Sequence, residues 1–343
     1  MATYQSVHLS KRPTGRVELG ETFSTQIHRS PIAADLQDGE VILRVIYLSI
    51  DPAMRGWIDE ERSYLPPVQI GEVMRGFGLG VVEESKSSLF PEGTYALAKT
   101  GWTEIIKLSE SDLEEIDDQL TNSLTDWLDV LGFTGMTAYF GITDVGKVKE
   151  GDLVVVTGAA GATGLMAGQI AKIKGATVIG IAGSDEKCSW LVEDMGFDDA
   201  LNYRAVDFER KLESATASLI DVFYDNVGGE ILDMALLRAK PHARFVMCGA
   251  ISQHNEKAYG LRNYLMVTRM RVTMQGFIIF DYSQRFPEAR QQLSKWLSKG
   301  LIRRRPTILQ GGISQAEVAL LGLYEGLNTG KLLIEVDGGQ RDQ

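Results

Sequence analysis

Apolar strands and helical patterns alternate over the second and larger part of the chain. The run Leu153–Thr157 is apolar and mostly β-branched, which is typical of a strand buried on both faces. After it, Leu165, Ile170 and Ile173 recur as on one face of a helix, with Gly175 as its predicted end. Further strands are predicted at Thr177–Ala182, Ala200–Asn202, Val222–Tyr224, Arg244–Cys248 and Arg271–Ile279. This alternation predicts a doubly wound parallel sheet.

The first part of the chain carries a different pattern. Residues 1–124 contain short β-like runs, such as Glu40–Leu48, that are separated by glycine and proline. This pattern predicts a compact, barrel-like β domain.

A helical pattern from Phe286 to Leu297, predicted to end at Gly300, closes the α/β part. The remaining chain returns to the first domain, and its helix is predicted to begin in the capping box Ser314–Glu317. The sequence therefore predicts an α/β protein with a β-barrel domain at 1–124 and 301–343 and a doubly wound domain at 125–300.

Composition narrows the class of protein. A length of 343 residues suits two domains, and the net charge of −11 disfavours nucleic acid as a partner. The triplet Arg303–Arg305 is interpreted as a solvated turn. The chain begins without the apolar core of a signal peptide, and no apolar run reaches the roughly 18 residues of a membrane span. We therefore expect a cytoplasmic protein with no membrane partner.

Residue types that commonly bind zinc, cysteine and histidine, are few in this sequence. Cys188 and Cys248 are the only cysteines, and the four histidines are scattered without metal-binding spacing. The sequence therefore predicts no metal site.

Glycines at three-residue spacing follow the first apolar strand. Gly158, Gly161 and Gly164 stand where the strand would turn into a helix. A dinucleotide-binding turn needs glycine there, because the chain reverses tightly, the pyrophosphate approaches the backbone, and the helix packs closely on the strand. The same spacing also occurs in loops that use glycine for turn geometry alone, so the motif by itself is weak.

The residues after the second strand indicate which dinucleotide binds. An NAD site carries an acidic residue about 20 positions after the glycines, but this chain has Ser184 as a predicted helix N-cap and Lys187 in the first helical turn. A 2′-phosphate explains a cation at a helix start, where the helix dipole disfavours it, and so favours NADPH. Lys187 could instead be a solvated surface lysine. A one-residue shift of the strand would bring Asp185 or Glu186 to the site and favour NADH.

Four motifs in a fixed order carry a resemblance to a known family. They are Leu48–Gly56 with Gly71–Gly76, Gly158–Gly164 with Gly183–Lys187, Asp225–Gly229, and Cys248–Ser252 followed by Gln275–Ile279. The chain resembles the zinc-independent branch of the medium-chain dehydrogenase/reductases that holds prostaglandin reductases, plant alkenal double-bond reductases and bacterial curcumin reductase. The resemblance spans nearly the whole sequence and implies a GroES-like β-barrel catalytic domain, a Rossmann NADP(H)-binding domain and a homodimer paired through the strand Arg271–Ile279.

The resemblance also implies which residues hold NADPH. Three groups are distinguished by the part of the cofactor that they would contact. The pyrophosphate would be held by Gly161, Ala162, Thr163 and Gly164. The 2′-phosphate would be held by Ser184, Lys187 and Tyr203. The nicotinamide half would be held by Asn226, Cys248, Gly249, Ala250, Ile251, Ser252, Phe277, Ile278, Ile279 and Asn328.

The chain departs from the family at two places. Ala53 stands where the family has tyrosine, which implies a wider substrate pocket. Arg269 stands where many members place a tyrosine that donates a hydrogen bond to the reacting oxygen. The donor is then Arg269, a ribose hydroxyl, water or another tyrosine. Among Tyr64, Tyr264 and Tyr282 we favour Tyr64, because Ser63–Pro67 resembles the pocket-lining loop of the family.

These observations predict an NADPH-dependent reductase of the carbon–carbon double bond of α,β-unsaturated aldehydes and ketones. Hydride addition to the β-carbon requires orientation and a hydrogen bond to the carbonyl oxygen, which suits a sequence without a catalytic triad or paired acidic motif. Three alternatives stay open: a quinone reductase, an allylic alcohol dehydrogenase, and a non-catalytic NADPH-binding protein.

Overall fold

The structure, a computed structural model, describes residues 2–121, 123–254 and 258–336. The described chain divides into two compact units. The first comprises Met1–Leu128, Pro306–Asn328 and Leu332–Gln343, as far as these are described, and the second comprises Asp129–Arg305 and Thr329–Lys331. The domain boundaries drawn from the sequence stay predictions, and residues 337–343 of the predicted first domain lie outside the described residues.

The regular elements are numbered in chain order. The strands are β1 (Thr3–Leu9), β2 (Phe23–Arg29), β3 (Glu40–Ile50), β4 (Gly78–Ser85), β5 (Tyr95–Ala98), β6 (Ile105–Ser109), β7 (Leu113–Glu115), β8 (Leu153–Thr157), β9 (Thr177–Ala182), β10 (Asp199–Asn202), β11 (Ile220–Asp225), β12 (Ala239–Met247), β13 (Thr273–Gly276), β14 (Thr307–Leu309) and β15 (Leu332–Glu335). The helices are α1 (Ala53–Gly56), α2 (Phe133–Phe140), α3 (Ala162–Ile173), α4 (Asp185–Glu193), α5 (Phe208–Ala215), α6 (Gly229–Leu237), α7 (Leu265–Met270), α8 (Phe286–Ser298) and α9 (Ala316–Glu325).

The first unit is built on β-sheets. A seven-stranded mixed sheet has the order β14-β15-β3-β4-β5-β7, with β6 paired to β3, while β1 and β2 form an antiparallel pair. The long strand β3 is central, since β4, β6 and β15 all pair with it in antiparallel register. Its apolar positions are buried in the core, which explains why this run was recognisable as a strand in the sequence.

The second unit is a doubly wound α/β domain. Six strands lie in the order β10-β9-β8-β11-β12-β13, and all of their pairings are parallel. Every residue of β8 is buried, as its unbroken apolar run predicted. The predicted fold class is confirmed.

The edge strand β13 is shorter than the predicted strand Arg271–Ile279. Arg271 adopts a left-handed conformation, with φ of 51°, at the end of α7, and the backbone N–H of Val272 donates to the carbonyl of Val267 at 2.9 Å. These two residues therefore end the helix before the strand can start. After Gly276 the chain leaves the sheet and forms the 3₁₀ helix Ile279–Arg285.

The predicted capping box Ser314–Glu317 is wrong. The Ser314 hydroxyl donates to the carbonyl of Gly311 at 3.0 Å, and Gln315 is the N-cap of α9 without a side-chain cap. The carboxylate of Glu317 instead accepts from the backbone N–H of Gly20 at 3.0 and 3.1 Å. A long-range partner in the same unit thus replaces the local one that the sequence suggested.

Among the described residues, no helix combines the length and apolar character needed to cross a membrane.

Candidate cofactor and active site

The glycine-rich turn between β8 and α3 is closed by direct backbone contact. Gly158 has φ of +60°, and the N–H of Gly161 donates to its carbonyl at 3.0 Å. A Cβ on Gly164 would lie 2.3 Å from the same carbonyl oxygen, so only glycine fits. Gly161 is the N-cap of α3 and brings no side-chain cap. The first N–H groups of a helix have no partner within it, and this turn therefore offers them to a phosphate.

The predicted cofactor residues follow the carboxyl ends of the parallel strands. Thr157 of β8 aligns with Ile181 of β9, and Met247 of β12 aligns with Gly276 of β13, so the segments that follow these strands begin at one edge of the sheet. The strand order reverses between β8 and β11. In open α/β sheets, ligands bind outside the carboxyl ends at such a switch point.

Ser184, Lys187 and Tyr203 come together after β9 and β10. The Ser184 hydroxyl caps α4 by accepting from the backbone N–H of Lys187 at 3.2 Å. The backbone N–H of Tyr203 donates to the carbonyl of Ala182 at 3.0 Å, and its ring lies 3.3 Å from where a Cβ on Gly183 would be. The strand boundary used in the sequence argument is the observed one, because β9 ends at Ala182 and Asp185 begins the helix.

Arg204 is a neighbouring cation that the sequence analysis missed. Its Nε donates to the Tyr203 hydroxyl at 3.3 Å, and its guanidinium lies 5.6 Å from the centre of that ring. Burial and the charge of Arg204 lower the pKa of Lys187. Within the described part of the chain, no ion pair joins Arg204 to a carboxylate. Two adjacent cations, Lys187 and Arg204, are suited to binding a dianion. In the sequence, the basic residue directly after Tyr203 is the feature from which Arg204 could have been predicted.

Asn226 and the segment Cys248–Ser252 are held together by backbone hydrogen bonds. The N–H groups of Cys248 and Gly249 donate to the carbonyl of Asp225 at 2.9 and 3.0 Å, and the N–H of Ile251 donates to the carbonyl of Asn226 at 3.1 Å. Burial raises the pKa of the Cys248 thiol to about 11, so this thiol is protonated at neutral pH. The predicted nicotinamide-binding residues of β11 and β12 therefore form one surface.

Phe277, Ile278 and Ile279 follow β13. Met247 and Gly276 pair directly, so the next residues along the two strands, Cys248 and Phe277, leave the sheet side by side. The Phe277 ring lies 2.9 Å from where a Cβ on Gly141 would stand, and it packs edge-on against Tyr282 at 6.3 Å between ring centres.

The segment around Gly330 belongs in part to the second unit. The N–H of Gly330 donates to the carbonyl of Ala160 in the glycine-rich turn at 2.8 Å. Asn328 is buried and is assigned to the first unit, so it is not grouped with the other predicted cofactor residues.

Tyr64 lies in the first unit and is 46% exposed. The indole N–H of Trp57 donates to its hydroxyl oxygen at 2.9 Å. Arg75 lies 5.7 Å from the centre of the Trp57 ring and donates from Nη2 to the carbonyl of Pro66 at 2.8 Å. The Tyr64 oxygen therefore accepts a hydrogen bond within the first unit.

Arg269 is exposed near the end of α7. Its carbonyl accepts from Nη1 of Arg271 at 2.8 Å, but in the described chain its guanidinium makes no hydrogen bond or ion pair. Tyr264 is also exposed, whereas Tyr282 stacks on Phe140 with 4.4 Å between ring centres.

Two family models match the chain. Residues 5–116 match a model described as the N-terminal domain of oxidoreductase, and residues 162–295 match one described as zinc-binding dehydrogenase. Residues 2–121, 123–254 and 258–336 hold no group of three or more His, Cys, Asp or Glu side chains that could hold a metal ion.

Similar proteins identify the family. The chain is 40% identical to an NADPH-dependent curcumin reductase of Escherichia coli, with 88% of this chain and 89% of the relative covered. It is 35% identical to an NADP⁺-dependent 2-alkenal reductase of Nicotiana tabacum, with 87% of each chain covered. The chain belongs to the medium-chain dehydrogenase/reductase family. A solved relative, CurA from Vibrio vulnificus in complex with NADPH, has a TM-score of 0.89 and 37% identity, covering 97% of this chain and 99% of its own.

As a member of this family the protein is an NADP-dependent oxidoreductase, and its cofactor is NADPH. The second unit suits that cofactor. Its glycine-rich turn has no room for a Cβ at Gly164, α3 begins without a side-chain cap, and Lys187 and Arg204 lie together beyond β9 and β10.

Proposed function

We propose that this protein uses NADPH to reduce the carbon–carbon double bond of α,β-unsaturated aldehydes and ketones. The observation that carries the proposal is that the residues assigned to the dinucleotide follow the carboxyl ends of the parallel strands, in a chain 40% identical to a curcumin reductase. Similarity to a 2-alkenal reductase supports the same substrate class. We further propose that the reaction is zinc-independent, because the 2 cysteines and 4 histidines of the sequence are not gathered at metal-binding spacing.

The proposed reaction requires little acid–base chemistry. NADPH supplies a hydride when bound. Addition of that hydride to the β-carbon would move the electrons of the double bond toward the substrate carbonyl oxygen, where a hydrogen-bond donor stabilises the negative charge. A proton from water or a tyrosine would then be added to the α-carbon. We assign the hydrogen-bond donor to Tyr64, because Ser63–Pro67 resembles the pocket-lining loop of the family and the Trp57 indole N–H fixes the position of the Tyr64 oxygen. Arg269, Tyr264 and Tyr282 are the competing donors.

The proposed 2′-phosphate site comprises Ser184, Lys187, Tyr203 and Arg204. The pyrophosphate is assigned to residues 161–164, and the nicotinamide half is assigned to Asn226, Cys248–Ser252, Phe277–Ile279 and Asn328. Electrostatics supports the first assignment, since a hydrogen bond to a charged group contributes about 1.5–3 kcal/mol.

We expect Lys187→Ala and Arg204→Ala each to weaken NADPH binding by about 10- to 100-fold, because each removes a charge-assisted contact with the 2′-phosphate. NADH binding should change by less than about 2-fold, since NADH has no 2′-phosphate. Fluorescence titration of both cofactors measures the ratio. Lys174→Ala, an exposed lysine at the far end of α3, is the matched control. Equal losses for NADPH and NADH would contradict the assignment.

The reaction itself is tested by following NADPH absorbance with a medium-chain 2-alkenal and a short enone. We expect NADPH to be consumed and the saturated carbonyl compound to form. The same protein should not oxidise an allylic alcohol with NADP⁺ at a comparable rate. NADPH binding with turnover only of quinones, only of allylic alcohols, or of neither would refute double-bond reduction and favour the corresponding alternative.

Replacement of Tyr64 by phenylalanine should lower kcat about 10²- to 10³-fold, as removal of one oxyanion donor does in other enzymes. NADPH affinity should be retained, because Tyr64 is assigned to the substrate and not to the cofactor. Tyr95→Phe, another exposed tyrosine of the first unit, serves as the control. If Arg269→Ala lowers kcat while Tyr64→Phe does not, the donor is Arg269 and our assignment is wrong.

We also propose that the protein forms a homodimer through β13. This strand pairs with β12 on one side, and its other side faces no strand in the described chain. An open sheet edge is a ready site for pairing with a second chain. Thr273, Gln275 and Gly276 of this strand are exposed, as the proposal requires.

Sedimentation velocity over a range of concentrations tests the dimer. We expect a dimer that Gln275→Lys weakens at least about 10-fold, because like charges would then face each other across the paired edges. The matched change Asp199→Lys, on the opposite edge strand β10, should leave association unchanged. A monomer at all concentrations, or equal effects of the two substitutions, would exclude pairing through β13.

A further inference from the structure

A buried carboxyl group stands at the switch point of the parallel sheet. Asp225 is the last residue of β11 and is 0% exposed. In the described chain it forms no ion pair. A carboxyl group buried without a cation is costly and must be compensated by hydrogen bonds.

One oxygen of Asp225 carries all of its described hydrogen bonds. Its Oδ1 accepts from the Thr157 hydroxyl at 2.8 Å and from the backbone N–H groups of Val227 and Gly228 at 3.0 and 2.9 Å. Its Oδ2 is buried and has no partner among the described residues. Burial raises the pKa of this carboxyl. The group thus acts in the fold as an acceptor at a single atom.

The Thr157 hydroxyl links Asp225 to Asn226 by hydrogen bonds. Its proton is donated to Asp225 at 2.8 Å, a shorter contact than the 3.5 Å to the Tyr224 carbonyl, and its oxygen accepts from the backbone N–H of Asn226 at 2.8 Å. The carbonyl of Thr157 accepts from Nδ2 of Asn226 at 2.7 Å. The backbone and the side-chain amide of Asn226 are therefore both held by one residue.

Because Nδ2 of Asn226 donates to the Thr157 carbonyl, the side-chain Oδ1 is the atom of this amide that can accept a hydrogen bond from a ligand. No described residue donates to it. The neighbouring turn is close, because a Cβ on Gly158 would lie 3.5 Å from the Cβ of Asn226. Thr157 directly precedes Gly158, so the same contacts fix the turns after β8 and β11 relative to each other.

We propose that Asp225 and Thr157 are positioning residues that fix the Asn226 amide, with its Oδ1 presented as the acceptor for the nicotinamide half of NADPH. The donor on the cofactor is the carboxamide N–H₂ or a ribose hydroxyl. This inference rests on the assignment of Asn226 to the nicotinamide half. Preorganisation matters here because hydride transfer is sensitive to small displacements of the donor carbon.

The test compares binding of NADPH with binding of adenosine 2′,5′-bisphosphate, which lacks the nicotinamide half. We expect Thr157→Val, which keeps the shape and removes the hydroxyl, to weaken NADPH binding about 3- to 10-fold, as expected for the loss of about one hydrogen bond. Binding of the bisphosphate should stay within about 2-fold of the wild type. Thr143→Val, which removes a hydroxyl elsewhere in the same unit, is the matched control.

Conservative and coupled variants separate positioning from a general structural effect. Thr157→Ser should restore NADPH affinity, because it returns the hydroxyl. Asn226→Asp should lose affinity selectively for NADPH even if Thr157→Val does not fold, because the donor to the Thr157 carbonyl is replaced by a repelling oxygen. In the Asn226→Ala background, Thr157→Val should cause no further loss, since both act through one contact.

Two results would overturn the inference: equal weakening of both ligands by Thr157→Val, or losses from Thr157→Val and Asn226→Ala that add in full. Neither readout requires turnover of an enone, so the inference can fail while the proposed reductase activity holds. Conversely, an enzyme inactive toward enones that still shows the selective NADPH loss would retain the positioning role.

Discussion

The packing of α3 in the second unit depends on the close approach of the backbone of Gly164 to the carbonyl of Gly158. A Cβ at Gly164 would stand 2.3 Å from that oxygen, so a single methyl group would push α3 off β8. The same helix passes over Phe197 at Gly168, where a Cβ would lie 2.0 Å from the ring. Two glycines therefore set how near α3 lies to the sheet, and that distance determines where its N-terminus can meet a phosphate.

We attribute the preference for NADPH to the local charge at Lys187 and Arg204, and not to the net charge of the protein. The protein carries −11 overall, which by itself would repel a phosphorylated cofactor. Screening in physiological salt limits exposed charges to about 8 Å, so distant carboxylates contribute little at Lys187 and Arg204. The partly buried Lys187 is less screened. Burial and the charge of Arg204 lower its pKa, and a dianion bound as proposed would relieve the repulsion between the two cations.

Sequence patterns predicted the bounds of β8 and β9 well, but they predicted the edge strand β13 poorly. The bounds of β8 and β9 could be read directly because both are continuous apolar runs with parallel neighbours on both sides. The edge strand β13 could not, since Arg271 is used to end α7, and the Glu317 cap failed because Gly20 supplies its donor from a distant part of the chain. Arg204 was overlooked, although its position after Tyr203 was visible. The contacts among Thr157, Asp225 and Asn226 join residues 68 and 69 positions apart, which no local pattern reveals.

One long-range and two local hydrogen bonds explain why a carboxyl without an ion-pair partner among the described residues is tolerated in the core. Asp225 satisfies one hydroxyl and two backbone N–H groups that would otherwise be buried without acceptors. An apolar residue of similar size would leave both backbone N–H groups without this acceptor. The carboxyl group is removed from water when the protein folds, so the free-energy penalty of its desolvation does not oppose cofactor binding. In the proposed role of Asn226, the cofactor meets an amide that is already oriented, so less ordering of side chains opposes association.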